Sequence, residues 1–96
     1  MIEVRETQAF ARWLGRLRDD EARARILSRV RRLSLGNAGD VRAVGHGVSE
    51  MRIDYGPGYR IYFTFRGTKL VILLGGGSKS TQPRDIAAAI AFSREL

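Results

Sequence analysis

An arginine within an alternating stretch is the first candidate for chemistry in this chain of 96 residues. From Tyr59 to Arg66 apolar and polar residues alternate, which is typical of a half-buried β-strand, and Arg60 falls on the polar side. A guanidinium binds two phosphate oxygens at once and keeps its charge when buried. We expect Arg60 to bind phosphate or to pair with Asp54 on a neighbouring strand, and the two roles are compatible because the carboxylate could orient the guanidinium.

A glycine-rich segment, Gly75 to Pro83, carries a second candidate cation. It differs from a nucleotide-binding P-loop because Ser78, rather than glycine, precedes the Lys-Ser pair. Its predicted place, between a strand and a helix N-terminus, favours an anion through free N–H groups and the helix dipole. The alternative is a glycine turn followed by an ordinary helix cap. The side chains expected to contact the anion are Lys79, Ser78, Ser80, Thr81 and Gln82.

The charge balance indicates a polyanionic partner. The chain has 17 basic and 10 acidic side chains, a formal net charge of +7, and all its basic residues except two lysines are arginines. Such a field attracts nucleic acid, a membrane surface or an acidic protein. Tyr62 is placed to stack on bases, and Arg66 follows it on the same strand face. Three further arginines at helical spacing are either RNA contacts or a solvated face: Arg25, Arg29 and Arg32.

The elements that must position these residues follow from apolar spacing. Residues 7 to about 35 are predicted to form two helices, and residues 83 to 95 a third. Strands are predicted at residues 2–5, 41–45, 48–55, 59–66 and 70–74. The order β-α-α-β-β-β-β-α predicts one two-layer α+β domain over residues 1–96, with an antiparallel sheet, helices on one face and a basic opposite face. A three-residue turn after the third strand would place Asp54 opposite Arg60 and Arg52 opposite Tyr62.

The composition excludes several classes of protein. With no cysteine, one histidine and no clustered acids, we expect no disulfide, no metal and no cofactor. The longest apolar run, Leu70 to Leu74, is far shorter than the ~20 residues of a membrane span. The N-terminus, with Glu3, differs from a signal peptide. We therefore expect a cytoplasmic protein without a membrane partner.

Two segments resemble the RelE/ParE superfamily of type II toxins. They are VSEMRIDYGPGYRIYF, from Val48 to Phe63, and VILLGGGSKSTQ, from Val71 to Gln82. The Gly-Gly-Ser-Lys-Ser-Thr-Gln end is similar to the HigB-like "addiction module killer" subgroup, and the resemblance covers nearly the whole chain. It implies a RelE-like microbial RNase fold. It also maps the family's phosphate-binding bases onto Arg60, Lys79 and Arg52.

The resemblance implies cleavage of mRNA in the ribosomal A site and inhibition by a cognate antitoxin. The family commonly carries a Tyr or His just after the last strand, where this chain has serines, a threonine and a glutamine. RNA supplies its own nucleophile, the 2′-hydroxyl, so the protein must align it, deprotonate it and protonate the leaving 5′-oxygen. The candidate bases are Glu50, Asp54 and His46, and the candidate acids are His46 and Lys79.

The resemblance, together with the two candidate cations, predicts a metal-independent, ribosome-dependent endoribonuclease toxin that arrests translation. Its expected partners are mRNA, the ribosome and an antitoxin that is acidic or of helix-turn-helix type, since a basic toxin attracts an acidic segment that can fold around it. Two alternatives stay open at this point. One is a non-enzymatic inhibitor of DNA gyrase, as in the ParE branch, and the other is an RNA-binding module without toxicity.

Overall fold

The fold is α+β, with three helices around one five-stranded mixed sheet. The computed structural model describes residues 1–96. No helix is long and apolar enough to cross a bilayer. A 3-10 turn before the last helix is an addition to the predicted order. The elements are β1 (Glu3–Glu6), α1 (Gln8–Arg16), α2 (Asp20–Ser34), β2 (Val41–Gly45), β3 (Val48–Ile53), β4 (Tyr59–Arg66), β5 (Leu70–Ser78), the 3-10 turn (Lys79–Thr81) and α3 (Gln82–Ser93).

The strand order is β1-β5-β4-β3-β2, and one pair of strands is parallel. β1 runs parallel to β5, with Val4 beside Val71, while all other neighbours are antiparallel. The prediction of a purely antiparallel sheet is therefore wrong. The three C-terminal hairpin connections force antiparallel pairing. β1 instead joins a strand more than sixty positions later, and apolar alternation carries no information about the direction of such a pair.

Helices lie on both faces of the sheet, which corrects the prediction of helices on one face. On one face, α1 and α2 pack Phe10, Ile26 and Leu33 into the larger core cluster with β3, β4 and β5. On the other face, Ala89 of α3 joins a smaller cluster that includes the fully buried Tyr62. The face predicted to be open and basic is thus partly covered by α3.

The two N-terminal helices each begin at a side-chain cap. Thr7 accepts a hydrogen bond from the Phe10 N–H at 3.2 Å and starts α1. Asp19 accepts from the N–H groups of Glu21 and Ala22 and starts α2. Each cap satisfies amide groups that the helix itself leaves without partners.

The triple glycine continues β5 and does not end it, contrary to the prediction. A Cβ at Gly76 would overlap the Trp13 ring, and one at Gly77 would overlap the Asp85 carboxylate. Glycine is therefore required at Gly76 because α1 packs closely on one face of the sheet, and at Gly77 because α3 packs closely on the other. A β-bulge beside Tyr62 shifts the register where this segment begins.

The register of β3 and β4 differs from the predicted one by two residues. Ile53 pairs with Tyr59, so five residues connect the strands, and Arg52 lies opposite Arg60. Glu50 takes the place opposite Tyr62 that was predicted for Arg52. A shift of two residues preserves which face each side chain occupies, because side chains alternate along a strand.

Candidate functional site

Three cationic side chains line one open pocket where β3 ends and β4 begins. Arg52, Arg60 and Lys79 surround a volume of about 270 Å³, which we call the cationic pocket. Its other lining residues are Asp40, Ile53, Asp54 and Gly58. The three cations come from two strands and the 3-10 turn, so the fold, rather than one local motif, assembles the pocket.

Arg52 and Arg60 are direct cross-strand partners, so two positive charges lie side by side where β3 ends and β4 begins. Like charges directly opposite on two strands destabilise a sheet unless something neutralises them. Each arginine has its own carboxylate: Arg52 Nε lies 3.5 Å from Asp40 Oδ2, and Arg60 Nε lies 4.0 Å from Glu50 Oε2. Both carboxylates lie on the Nε side of their guanidinium, and no ion pair occupies the remaining nitrogens.

The turn between β3 and β4 places Lys79 beside Arg60. The Lys79 N–H donates to the carbonyl oxygen of Pro57 at 3.4 Å. A Cβ at Gly58 would lie 3.4 Å from Lys79 Cβ and 3.6 Å from Arg60 Nη1, so both side chains flank this glycine. Gly58 has φ +77°, a conformation that favours glycine, and it leaves the pocket open at that point.

Glu50 forms a buried polar cluster behind Arg60, and it lies outside the cationic pocket. Its carboxylate is fully buried and accepts hydrogen bonds from Tyr62 Oη at 3.1 Å and from Gln82 Nε2 at 2.8 Å. Burial, together with the neighbouring Glu50 charge, raises the pKa of Tyr62 above its usual value. Tyr62 is fully buried and has no face free for a base, so the predicted stacking role does not fit its position.

His46 is far from the three cations. It occupies the β2–β3 turn with φ +56°, and Arg94 Nη2 lies 3.1 Å from its Nδ1. The turn adjoins Val48, whereas Arg52 is near the opposite end of β3, and the rise between those two residues spans roughly 14 Å. Among the three predicted bases, only Asp54 lines the cationic pocket, and its side chain is exposed.

The helix arginines line a second pocket that adjoins the first. Arg25, Arg29 and Arg32 surround about 290 Å³ and share Ile53 and Asp54 with the cationic pocket. The two basic pockets are therefore neighbours, and together they concentrate positive charge on this part of the surface.

Arg29 is a structural residue rather than part of a solvated face. It donates hydrogen bonds to the carbonyl oxygens of Arg52 at 2.7 Å and Ala38 at 3.1 Å. Desolvation lowers its pKa from the usual value. Arg25, by contrast, pairs with Glu21 at 3.0 Å and lies 4.5 Å above the centre of the Tyr55 ring. The predicted arginine face therefore combines one anchored side chain with two more exposed ones.

The polar residues around Lys79 mainly bond to one another. Ser78 and Ser80 hydroxyls lie 2.9 Å apart, the Ser78 N–H donates to Thr81 Oγ1, and Thr81 donates to Asp85. The segment does not match the predicted glycine turn with a helix cap, because the glycines continue β5 and Thr81 makes no side-chain capping bond to α3. Arg66 lies at the other end of β4 from Arg60 and donates to the Ser93 carbonyl oxygen at 3.2 Å.

Three residues that line the pocket were not predicted from the sequence: Asp40, Gly58 and the buried core residue Ile53. Asp40 precedes β2 and carries no motif, so no signal in the sequence could have found it. Gly58 had a signal, since it ends the Gly-Pro-Gly turn directly before Tyr59 and Arg60. No group of three or more histidine and acidic side chains lies close enough to hold a metal ion.

Comparison with known proteins gives a family and one near relative. The model of the family described as phage-derived protein Gp49-like (DUF891) matches residues 12–91. An uncharacterized protein of Haemophilus influenzae is 45% identical over 95 residues, which is 99% of this chain and 96% of the relative. The chain therefore belongs to the Gp49-like family, a RelE-like family associated with toxin–antitoxin systems.

Proposed function

We propose that the chain is the toxin of a type II toxin–antitoxin module of the HigB-like kind, and that it cleaves mRNA on the ribosome. The observation that carries this proposal is the convergence of Arg52, Arg60 and Lys79 on one open pocket. A pocket with three cations and a single free carboxylate, Asp54, suits one phosphate of a nucleic acid backbone. The association of the family with toxin–antitoxin systems supplies the biological context.

The cleavage step follows from these groups. Asp54 takes the proton of the 2′-hydroxyl, whose oxygen attacks the adjacent phosphorus and forms a 2′,3′-cyclic phosphate. Arg52 and Arg60 hold the non-bridging oxygens as negative charge accumulates there. Lys79 donates a proton to the 5′-oxygen as the P–O5′ bond breaks. Removing one such charge-stabilising donor typically costs about 3–4 kcal/mol of transition-state stabilisation.

The sparse proton-transfer groups support dependence on the ribosome. Asp54 and Asp40 are the only carboxylates in the cationic pocket, and Asp40 already pairs with Arg52. A site with strong charge stabilisation but few acids and bases depends on its substrate complex for alignment and proton transfer. Ribosomal RNA groups around bound mRNA would supply both.

An antitoxin is the second partner in this proposal. A net charge of +7 on 96 residues attracts an acidic protein segment by the same field that attracts RNA. An acidic segment that folds over the two basic pockets would compete with RNA directly.

The same scarcity of acids and bases favours one alternative function. A ParE-like toxin inhibits DNA gyrase by binding alone, and such a role requires basic surface without proton transfer. Under this alternative the cationic pocket would bind its target and cut nothing. Mapping RNA 5′ ends after induction distinguishes the two, because new ends inside coding frames require cleavage, whereas DNA damage without them indicates gyrase.

The decisive variant carries Arg60→Ala and Lys79→Ala together. We expect it to fold but to lose toxicity and at least about 100-fold of cleavage, because two charge-stabilising groups are gone. The control is Arg5→Ala with Lys69→Ala, which also removes two cations, both far along the sheet from the pocket. RNA 5′-end mapping and circular dichroism provide the measurements. Full toxicity in the folded Arg60/Lys79 variant, or an equal loss of cleavage in that variant and in the control, would refute the site. Normal growth of cells that express the unsubstituted chain would refute the toxin role and leave only RNA binding.

A further inference from the structure

The buried carboxylate of Glu50 lies directly behind the arginine of the cationic pocket. It is fully buried, and its Oε2 lies 4.0 Å from Arg60 Nε. Tyr62 and Gln82 donate to the same oxygen, while Arg42 Nη2 lies 3.7 Å from Oε1 across the β2–β3 pair. Burying a carboxylate is costly, and a neutral side chain of the same size would avoid that cost. The interactions of Glu50 with Arg60 and Arg42 offset part of that cost.

The Arg60 guanidinium faces two different environments. Its Nε edge faces Glu50, whereas its Nη1 lies beside Gly58 and Lys79 in the cationic pocket. The Arg60 side chain is only 10% exposed, and neither Arg60 Nε nor Glu50 Oε1 has a hydrogen-bond partner. The two side chains therefore interact through their charges at 4.0 Å and not through a hydrogen bond.

We propose that Glu50 is a positioning residue: it holds the Nε edge of Arg60 so that the terminal nitrogens point at the phosphate. Tyr62 and Gln82 fix the carboxylate from β4 and from the first residue of α3. Gln82 also follows the turn that carries Lys79, so Glu50 ties both cations to one point of β3. This inference rests on the proposed function for the identity of the anion, an RNA backbone phosphate.

The direction in which Glu50→Gln changes RNA affinity shows whether Glu50 positions Arg60 or acts only through its charge. Glu50→Gln keeps the size of the side chain and one oxygen that can accept from Tyr62 and Gln82, but it removes a negative charge near the pocket. If Glu50 acts only through its field, this change strengthens RNA binding, since it removes repulsion. If Glu50 positions Arg60, the change weakens RNA binding, because the freed guanidinium loses its fixed orientation.

The test is a double-mutant cycle on binding of a 2′-O-methyl RNA oligonucleotide, which cannot be cleaved. We expect Glu50→Gln to weaken binding about fivefold or more in the native background and less than about twofold beside Arg60→Ala. Asp54→Asn is the control: it removes an exposed carboxylate from the same pocket and should strengthen binding. Fluorescence anisotropy gives the affinities. Stronger binding by Glu50→Gln, or an equal loss in both backgrounds, overturns the proposal.

A second variant and a spectroscopic signal keep the test decisive if Glu50→Gln does not fold. Tyr62→Phe removes one hydrogen bond to Glu50 without changing charge, and we expect it to weaken RNA binding about twofold. The Nε–H resonance of Arg60, assigned by its absence in Arg60→Ala, should be slow to exchange in the native protein and broadened in either variant. An unchanged resonance overturns the role of Glu50. Absence of RNA binding by the native chain would instead refute the proposed function, and the resonance would still decide the positioning role.

Discussion

At the scale of single residues, neighbouring arginines on one helix have different physical roles. Arg29 is partly buried and donates to two backbone carbonyl groups, one of which belongs to Arg52 in the cationic pocket. Arg32, three positions later, is exposed and makes no hydrogen bond or ion pair to a side chain. Their shared spacing in the sequence could not reveal this, because the difference arises from the β3 end and residue 38 packing against only one of them.

Substitution of Arg29 should therefore destabilise the fold, whereas substitution of Arg32 should not. Arg29→Ala leaves two carbonyl groups without their donor, so we expect the free energy of unfolding to fall by about 1–3 kcal/mol. Arg32→Ala, the matched control, should change it by less than about 0.5 kcal/mol. Urea denaturation followed by circular dichroism measures both. Equal stability of the two variants would contradict the assignment of Arg29 as an anchor.

At the scale of elements, the sequence predicts what depends on local alternation and does not predict what depends on packing between distant segments. Alternation placed Arg52, Arg60 and Tyr62 on one face of β3 and β4, and the structure has them there. It could not show that α3 covers part of that face and buries Tyr62, because α3 approaches from the far end of the chain. The two-residue error in register came from the turn, where five connecting residues replace the predicted three. Arg60 and Lys79 do line one pocket, while their chemistry stays a prediction.

The glycine run of β5 offers a test of packing between elements. Gly76→Ala would drive a methyl group into the Trp13 ring of α1, and we expect a loss of about 1–3 kcal/mol of stability. Gly77→Ala meets the Asp85 carboxylate, a smaller group that can rotate away, so its loss should be smaller. Gly75→Ala is the internal control, since a Cβ there contacts nothing within 4 Å. Thermal denaturation should rank the variants in that order, and equal tolerance at Gly76 and Gly75 would exclude close packing of Trp13.

At the scale of the whole molecule, the net charge attracts a polyanion, but only the arrangement of cations can direct it. Charges separated by more than about 8 Å are largely screened at physiological ionic strength. The two basic pockets share Ile53 and Asp54, so their cations are grouped on one part of the surface. Arg5, on the edge strand β1, adds the same formal charge to the molecule but pairs with Glu3 at 2.6 Å.

The salt dependence of RNA binding separates directed contact from general attraction. Each phosphate neutralised on a single strand contributes a slope of about −0.7 to the logarithm of affinity against the logarithm of salt concentration. Lys79→Ala should therefore reduce the steepness of that slope by about 0.7, since one contact and its counterion release are lost. Arg5→Ala lowers the net charge by the same unit. It should leave the slope unchanged, because Arg5 pairs with Glu3 on β1, far from the cationic pocket. Fluorescence anisotropy with a 2′-O-methyl RNA across a series of salt concentrations gives both slopes. If the two variants change the slope equally, the molecule attracts RNA through its overall field, and the cationic pocket has no special part in binding.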